Sequence, residues 1–308
     1  LGHLRYGTQG KNNVEFCHPF IKRDLMPGKN LALAGNFNLV NTDELFEQIG
    51  VNPGDYQKQS DLAAMMEVVH HYLVKEDEAN PNNANITNVL KNATPIFDGG
   101  YTIGGLLGNG HSFVMRDAHG IRPAYYYIND EVIVAASERA AIRTTFNVGE
   151  NEVQELMPGT ALIVDDLGNY RIEKILDPKE RRACSFERIY FSRGSDEKIY
   201  RERIALGHHL SETVLERIAY DLKNTIFSYI PNTAEVAFYG LVKGMEEYLN
   251  KIKVERILSW GNDFTPDKLE EMVNRKIRQE KIAIKDVKLR TFITEDANRN
   301  EMVQHVYD

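Results

Sequence analysis

The chain has 308 residues, 42% hydrophobic and 27% charged, with a formal net charge of −8. That is enough chain for a real core and more than one domain, and the acidic balance argues against a broad nucleic-acid surface. The only two cysteines, Cys17 and Cys184, do not make a disulfide scaffold or a Cys-x-x-Cys metal site, and no apolar run approaches the ~18 residues of a membrane span, so a reducing, cytoplasmic setting with no membrane partner is expected.

Leu31-Ala32-Leu33-Ala34 is an apolar run that predicts a short buried strand ending at Gly35. Thr42-Asp43-Glu44-Leu45 predicts a short helix capped by Thr42. Ser60-Asp61 precede Leu62, Met65, Met66, Val69 and Leu73, an apolar stripe at helical spacing. Glu76 to Asn92, rich in Asn and acids, reads as an exposed connection or a frayed helix. Ser112 to Arg116, Pro123 to Ile128 and Val132 to Ala136 are separated by turn residues and predict an antiparallel meander, with Ser137-Glu138 capping a helix through Ile142. Thr160 to Val164 and Tyr170 to Ile175 predict a hairpin. Phe186 to Arg193 alternates like a strand and joins the two halves. Beyond it, Ile199 to Asp221, Thr225 to Ile230 and Val236 to Asn250 predict helix, strand and helix, the start of an α/β layer. Residues 251–285 are highly charged, with a helix start at Thr265-Pro266-Asp267.

Three stretches could carry chemistry. In Gly2-His3-Leu4-Arg5-Tyr6-Gly7-Thr8-Gln9-Gly10, a guanidinium set between glycines can fork onto a small carboxylate; taken singly, Arg5 also fits a solvated surface charge. In Gly35-Asn36-Phe37-Asn38-Leu39-Val40-Asn41, Asn36 can donate to a developing oxyanion with a neighbouring backbone N–H, although an Asn-rich turn has the same composition. Asp61 at a helix start can be an N-cap or the partner of a substrate ammonium. Together Arg5, Asn36 and Asp61 suit an α-amino acid with a reacting side-chain amide. Arg116-Asp117-Ala118-His119-Gly120 reads as structural, a turn in which Arg116 and Asp117 pair and Gly120 takes an unusual backbone angle. His70-His71 and His208-His209 are adjacent pairs, whose side chains diverge on a helix, and read as helix-surface residues.

These motifs, in this order, resemble the amidophosphoribosyltransferases, class II glutamine amidotransferases of purine biosynthesis. The matching stretches are GHLRYGTQG, GNFNLVN, Ser60-Asp61, GGYT at Gly99 to Thr102, RDAHGIRP, AASERAA, MPGT, SFERIYFSRGS and IYRERIALG, with LRTFITEDANR at Leu289 to Arg299 a looser one. The resemblance implies an α+β fold: a four-layer αββα N-terminal-nucleophile glutaminase sandwich over 1–183, then an interdomain strand and partial α/β phosphoribosyltransferase domain over 184–308, with a charged insertion at about 251–285. It implies that Asn36 and the Phe37 N–H form the oxyanion hole, that Arg5 and Thr8 hold the glutamine carboxylate, and that Asp61 holds its amino group. Ammonia would pass to phosphoribosylpyrophosphate to give 5-phosphoribosylamine, with Mg2+ at the full-length transferase site, no iron–sulfur cluster, and self-association.

The resemblance also shows departures. Phe37 stands where the family has glycine and Gly35 where it has histidine, and Ile230-Pro231-Asn232-Thr233-Ala234-Glu235 only approximates the family's Val-Pro-Asp-Ser-Gly turn. No cysteine opens the chain, so it is expected to be an inactive internal fragment whose nucleophile precedes Leu1. The alternative is a catalytically silent glutaminase-like binding or assembly subunit.

Overall fold

The computed structural model describes residues 1–4, 14–50, 60–81 and 83–285. Arg5, Thr8 and the Leu289 to Arg299 stretch lie outside the described residues. Two compact units meet in sequence between Glu187 and Arg188.

The first unit is built on a six-stranded antiparallel sheet of β1 (Phe20–Lys22), β2 (Leu31–Leu39), β3 (Gly99–Leu107), β4 (Ser112–Arg116), β8 (Thr160–Val164) and β9 (Tyr170–Lys174), in that spatial order. β5 (Tyr125–Ile128), β6 (Ile133–Ala136) and β7 (Gln154–Glu155) form a separate three-stranded sheet ordered β6-β5-β7. The expected meander is therefore split: β4 pairs with β3 and β8, while β5 and β6 form a hairpin in the other sheet. β8 and β9 pair as the expected hairpin.

Period-two alternation sets the layers. Leu31, Leu33, Ile103, Phe113, Met115 and Ile163 point to one face, where they pack against Leu62, Met65, Met66, Val69, Leu73, Ile86 and Leu90 of α2 (Asp61–Ala79) and α3 (Ile86–Ala93). Their neighbours Val114 and Leu162 point to the other face, against Tyr126, Ile128 and Ile133 of the second sheet. Tyr125 and Tyr127, alternating with Tyr126, meet α4 (Arg139–Phe146): the Arg139 guanidinium lies 5.5 Å from the Tyr125 ring centroid, and Phe146 lies 5.8 Å from Tyr127. The layer order is thus helix, sheet, sheet, helix, as the resemblance implies.

Several local expectations are corrected. β2 continues past Gly35 to Leu39, because every residue from Leu31 to Leu39 has a partner on β3, so the Asn-rich segment is strand rather than turn. α1 (Thr42–Gln48) starts after Asn41, which makes no side-chain cap, and α4 runs beyond Ile142 to Phe146 without a side-chain cap from Glu138. The stretch Glu76 to Asn92 is mostly ordered helix, shared between the end of α2 and α3, with Asn85 capping the latter through the Thr87 N–H. His70 is buried on the inner side of α2 rather than on a helix surface.

The second unit is described by itself. α5 (Glu197–Arg217) is capped by Asp196 and lies against α6 (Glu235–Ser259), which runs well past the expected Asn250 into the charged stretch. Its apolar core joins Leu215 to Phe227, Phe238, Val242, Met245, Leu249 and Ile277. Gly240 allows the close approach of the two helices: a Cβ there would sit 2.0 Å from the Ile204 carbonyl oxygen of α5. Thr225 to Ile230 is not a full strand. It makes a single parallel bridge, Phe227 to Gln279. α7 (Pro266–Val273) is capped by Thr265 through the Lys268 N–H, as its Thr-Pro-Asp start foretells.

Phe186 to Arg193 is likewise not a strand. Glu187–Phe191 form a single π-helical turn, a rare element that recurs at functional positions. Arg203 of α5, only 5% exposed, donates to the carbonyl oxygens of Arg188 and Ser192 and so holds this turn.

Candidate active site

β2 carries two of the expected site residues side by side. Asn36 lies on the face away from Leu31 and Leu33, directly opposite Thr102 on β3, which in turn faces Arg116 on β4. Directly paired residues of an antiparallel ladder share a face, so Asn36, Thr102 and Arg116 form a polar row beneath the second sheet. Phe37 points the other way. Its ring packs against the helical core and stacks on His18, with centroids 5.4 Å apart and planes 17° apart. His18 in turn meets His3 at 4.2 Å.

The backbone N–H of Leu39 points away from β3 and donates to Asp61 Oδ2 at 2.9 Å. N–H direction alternates along a strand, so the Phe37 N–H points to the same edge. β1 covers β2 only from Leu31 to Leu33, so no described strand covers that stretch of edge. The two N–H groups are about 7 Å apart along the strand. Asp61 is not the N-cap of α2. Ser60 holds that place, accepting from the Ala63 N–H at 3.2 Å, and this leaves the Asp61 carboxylate free to reach β2. Asp61 Oδ1 carries no protein hydrogen bond among the described residues. The structure therefore brings Asn36, the Phe37 N–H and Asp61 to one end of one strand.

The Asn36 side chain has a partner that the motif reading missed. Its Nδ2 donates to Glu187 Oε1 at 2.6 Å, and the same oxygen accepts from Arg122 NH1 at 2.9 Å. The sequence signal is the charged pair Glu187-Arg188 inside an otherwise aromatic and aliphatic run, Phe186-Glu187-Arg188-Ile189-Tyr190-Phe191.

Arg122 is placed by the turn before it. Asp117, 1% exposed, accepts four backbone N–H groups, from Tyr101, His119, Ile121 and Arg122, at 2.9–3.3 Å. Arg116 does not pair with Asp117 as expected. Asp117 is taken up by the backbone, and the Arg116 guanidinium turns towards the second sheet to meet Glu155 Oε1 at 2.8 Å and the carbonyl oxygens of Leu156, Gly120 and Arg122. Gly120 does take a left-handed conformation, at φ 61°. Burial raises the Glu155 pKa, but its hydrogen bonds and charge contacts to Arg116 and Arg181 outweigh that and hold it below the usual carboxylate value.

Among the described residues no group of three or more His, Cys, Asp or Glu side chains could hold a metal ion.

No family model matches the chain. Curated proteins do. The chain is 29% identical to the amidophosphoribosyltransferase of Methanothermobacter thermautotrophicus over 215 residues, 68% of this chain and 42% of that protein. It is 31% identical to the Bacillus subtilis enzyme over 196 residues, 63% of this chain and 37% of that protein. Identity to the Saccharomyces cerevisiae enzyme is 25% over 244 residues, 76% and 47% of the two chains. The chain thus spans less than half the length of these relatives. Among solved structures, the glutamine phosphoribosylpyrophosphate amidotransferase of B. subtilis complexed with ADP and GMP aligns over 97% of this chain and 55% of its own, at TM-score 0.64 and 23% identity, and this shows the fold. The chain is thus a partial relative of the amidophosphoribosyltransferases, similar to them in sequence over about two thirds of its length and in fold over nearly all of it.

Proposed function

We propose that this chain forms the glutamine-handling part of an amidophosphoribosyltransferase of purine biosynthesis. Asn36 Nδ2 and the Phe37 N–H donate to the oxyanion formed at the glutamine amide. Asp61 receives the substrate ammonium, and Arg5 and Thr8 take its carboxylate. The ammonia released passes to phosphoribosylpyrophosphate, displaces pyrophosphate and gives 5-phosphoribosylamine. No role falls to Cys17 or Cys184. Mg2+ at the transferase site would supply charge neutralisation of pyrophosphate, and no described residue is assigned to it. A self-associating, cytoplasmic enzyme without a nucleic-acid partner completes the proposal.

One observation carries the reading. Asp61, 25 residues after Asn36 in sequence, is drawn by the Leu39 N–H to the strand end that holds Asn36 and Phe37. A preorganised donor pair beside an ammonium acceptor is what amide hydrolysis of an α-amino acid requires.

The test is ammonia release from glutamine by the whole encoded protein. Asn36→Ala should lower kcat by about 10²–10³, the usual loss for one oxyanion donor. A wild-type protein that folds, binds glutamine and releases no ammonia would favour the second reading, a silent binding or assembly subunit. What motivates that reading is the departure at Phe37, which stands where the resembled family has glycine, although its ring packs away from Asn36.

A further inference from the structure

We propose that Glu187 is a positioning residue for the oxyanion donor: its carboxylate fixes the plane of the Asn36 carboxamide. The inference rests on the role given to Asn36 above. A free asparagine side chain turns easily about its last torsion, which is broad and two-fold, and an unfixed amide presents N–H and C=O to the substrate in turn. A carbonyl aimed at an oxyanion repels it. Glu187 removes that ambiguity. A carboxylate accepts hydrogen bonds and donates none when ionised, so the atom 2.6 Å from Glu187 Oε1 must be the amide nitrogen. One N–H of Nδ2 is used there, and the second remains available for the substrate.

The carboxylate is itself held. Glu187 is 8% exposed and pairs with Arg122, and the Arg122 backbone is tied to Asp117 through its N–H and to Arg116 through its carbonyl. The Arg122 charge also offsets the carboxylate, so a second negative charge beside the reacting amide is not left uncompensated. Glu187 therefore reaches Asn36 across 151 residues of sequence from a carboxylate held by Arg122.

The proposal is tested in the whole encoded protein with glutamine as substrate. Glu187→Ala should lower kcat for ammonia release about 10- to 100-fold, the scale of a misplaced catalytic group, with KM for glutamine nearly unchanged. Glu187→Gln, which keeps an acceptor oxygen, should recover most of the loss. Glu187→Asp, one methylene short, should not recover it. In an Asn36→Ala background Glu187→Ala should cost nothing further, since the group it positions is gone. An additive loss, a rise in KM alone, or faster turnover in Glu187→Ala would overturn the proposal.

A second measurement does not depend on turnover. The Asn36 side-chain amide, assigned by its loss in Asn36→Ala, should shift in the 15N–1H spectrum and exchange faster with solvent in Glu187→Ala, and less so in Glu187→Gln. An unchanged resonance overturns the positioning role even if glutamine is hydrolysed. A shifted resonance in a protein that never hydrolyses glutamine keeps the contact and rejects the function.

Discussion

Asp61 accepts the Leu39 N–H at 2.9 Å, so a carboxylate from the first turn of a helix closes the open edge of a sheet strand. The bond anchors the strand and leaves the other oxygen without a hydrogen bond among the described residues, which separates two roles that one substitution can distinguish. Asp61→Asn keeps an acceptor for Leu39 and loses the charge. Thermal unfolding should move little, whereas KM for glutamine should rise at least tenfold, because a charge-assisted bond to the substrate ammonium is worth about 1.5–3 kcal/mol. Equal loss of stability and affinity would mean that Asp61 is structural only.

Arg116 is among the largest fully buried side chains of the described residues, and it ties the turn that places Arg122 to the second sheet. Arg116→Met would strand buried carbonyl oxygens and leave Glu155 with Arg181. The expected cost is about 3–5 kcal/mol in chemical denaturation, in line with breaking a buried pair. The pH dependence follows from the lowered Glu155 pKa. A carboxyl with a depressed folded pKa adds stability above its unfolded value near 4.5, and loses it as pH falls through the folded value. Glu155→Gln should therefore remove part of the acid sensitivity below about pH 4.5 while lowering stability at neutral pH.

His70 is held neutral inside α2. Burial is the main cause of its lowered pKa, Lys22 adds to it, and Glu67, Asp24 and the Lys29 backbone oppose it. Its Nε2 has no hydrogen-bond partner among the described residues. Above its unfolded pKa of 6.5 both states are neutral. Below that value the unfolded chain takes up the proton first, so stability falls with falling pH until the folded pKa is passed. His70→Gln should flatten the dependence of Tm on pH in the window just below 6.5. An unchanged slope would show that His70 opens to solvent.

The α5–α6 contact depends on absent side chains. A Cβ on Gly240 would meet the Ile204 carbonyl oxygen at 2.0 Å, and one on Gly207 would meet that of Ala237 at 1.7 Å. Backbone atoms cannot rotate aside, so either change to alanine should destabilise the second unit by about 1–3 kcal/mol or more, against the small gain alanine brings in an exposed helix. Helix content monitored by circular dichroism during thermal unfolding reads this directly.

Much of the local structure was legible in the chain itself. The helix starts at Ser60-Asp61 and Thr265, the β8–β9 hairpin and the conformation of Gly120 each depend on a few neighbouring residues, whose preferences are local. The order of the motifs also carried the relationship to the amidophosphoribosyltransferases. What tertiary structure alone decided were the pairings across distance: Arg116 with Glu155 instead of Asp117, β4 and β5 in different sheets, a π-helical turn in place of a strand, and Glu187 on Asn36. Each of these depends on which strands lie side by side and which charges then share a low-dielectric space, and no local preference contains that information.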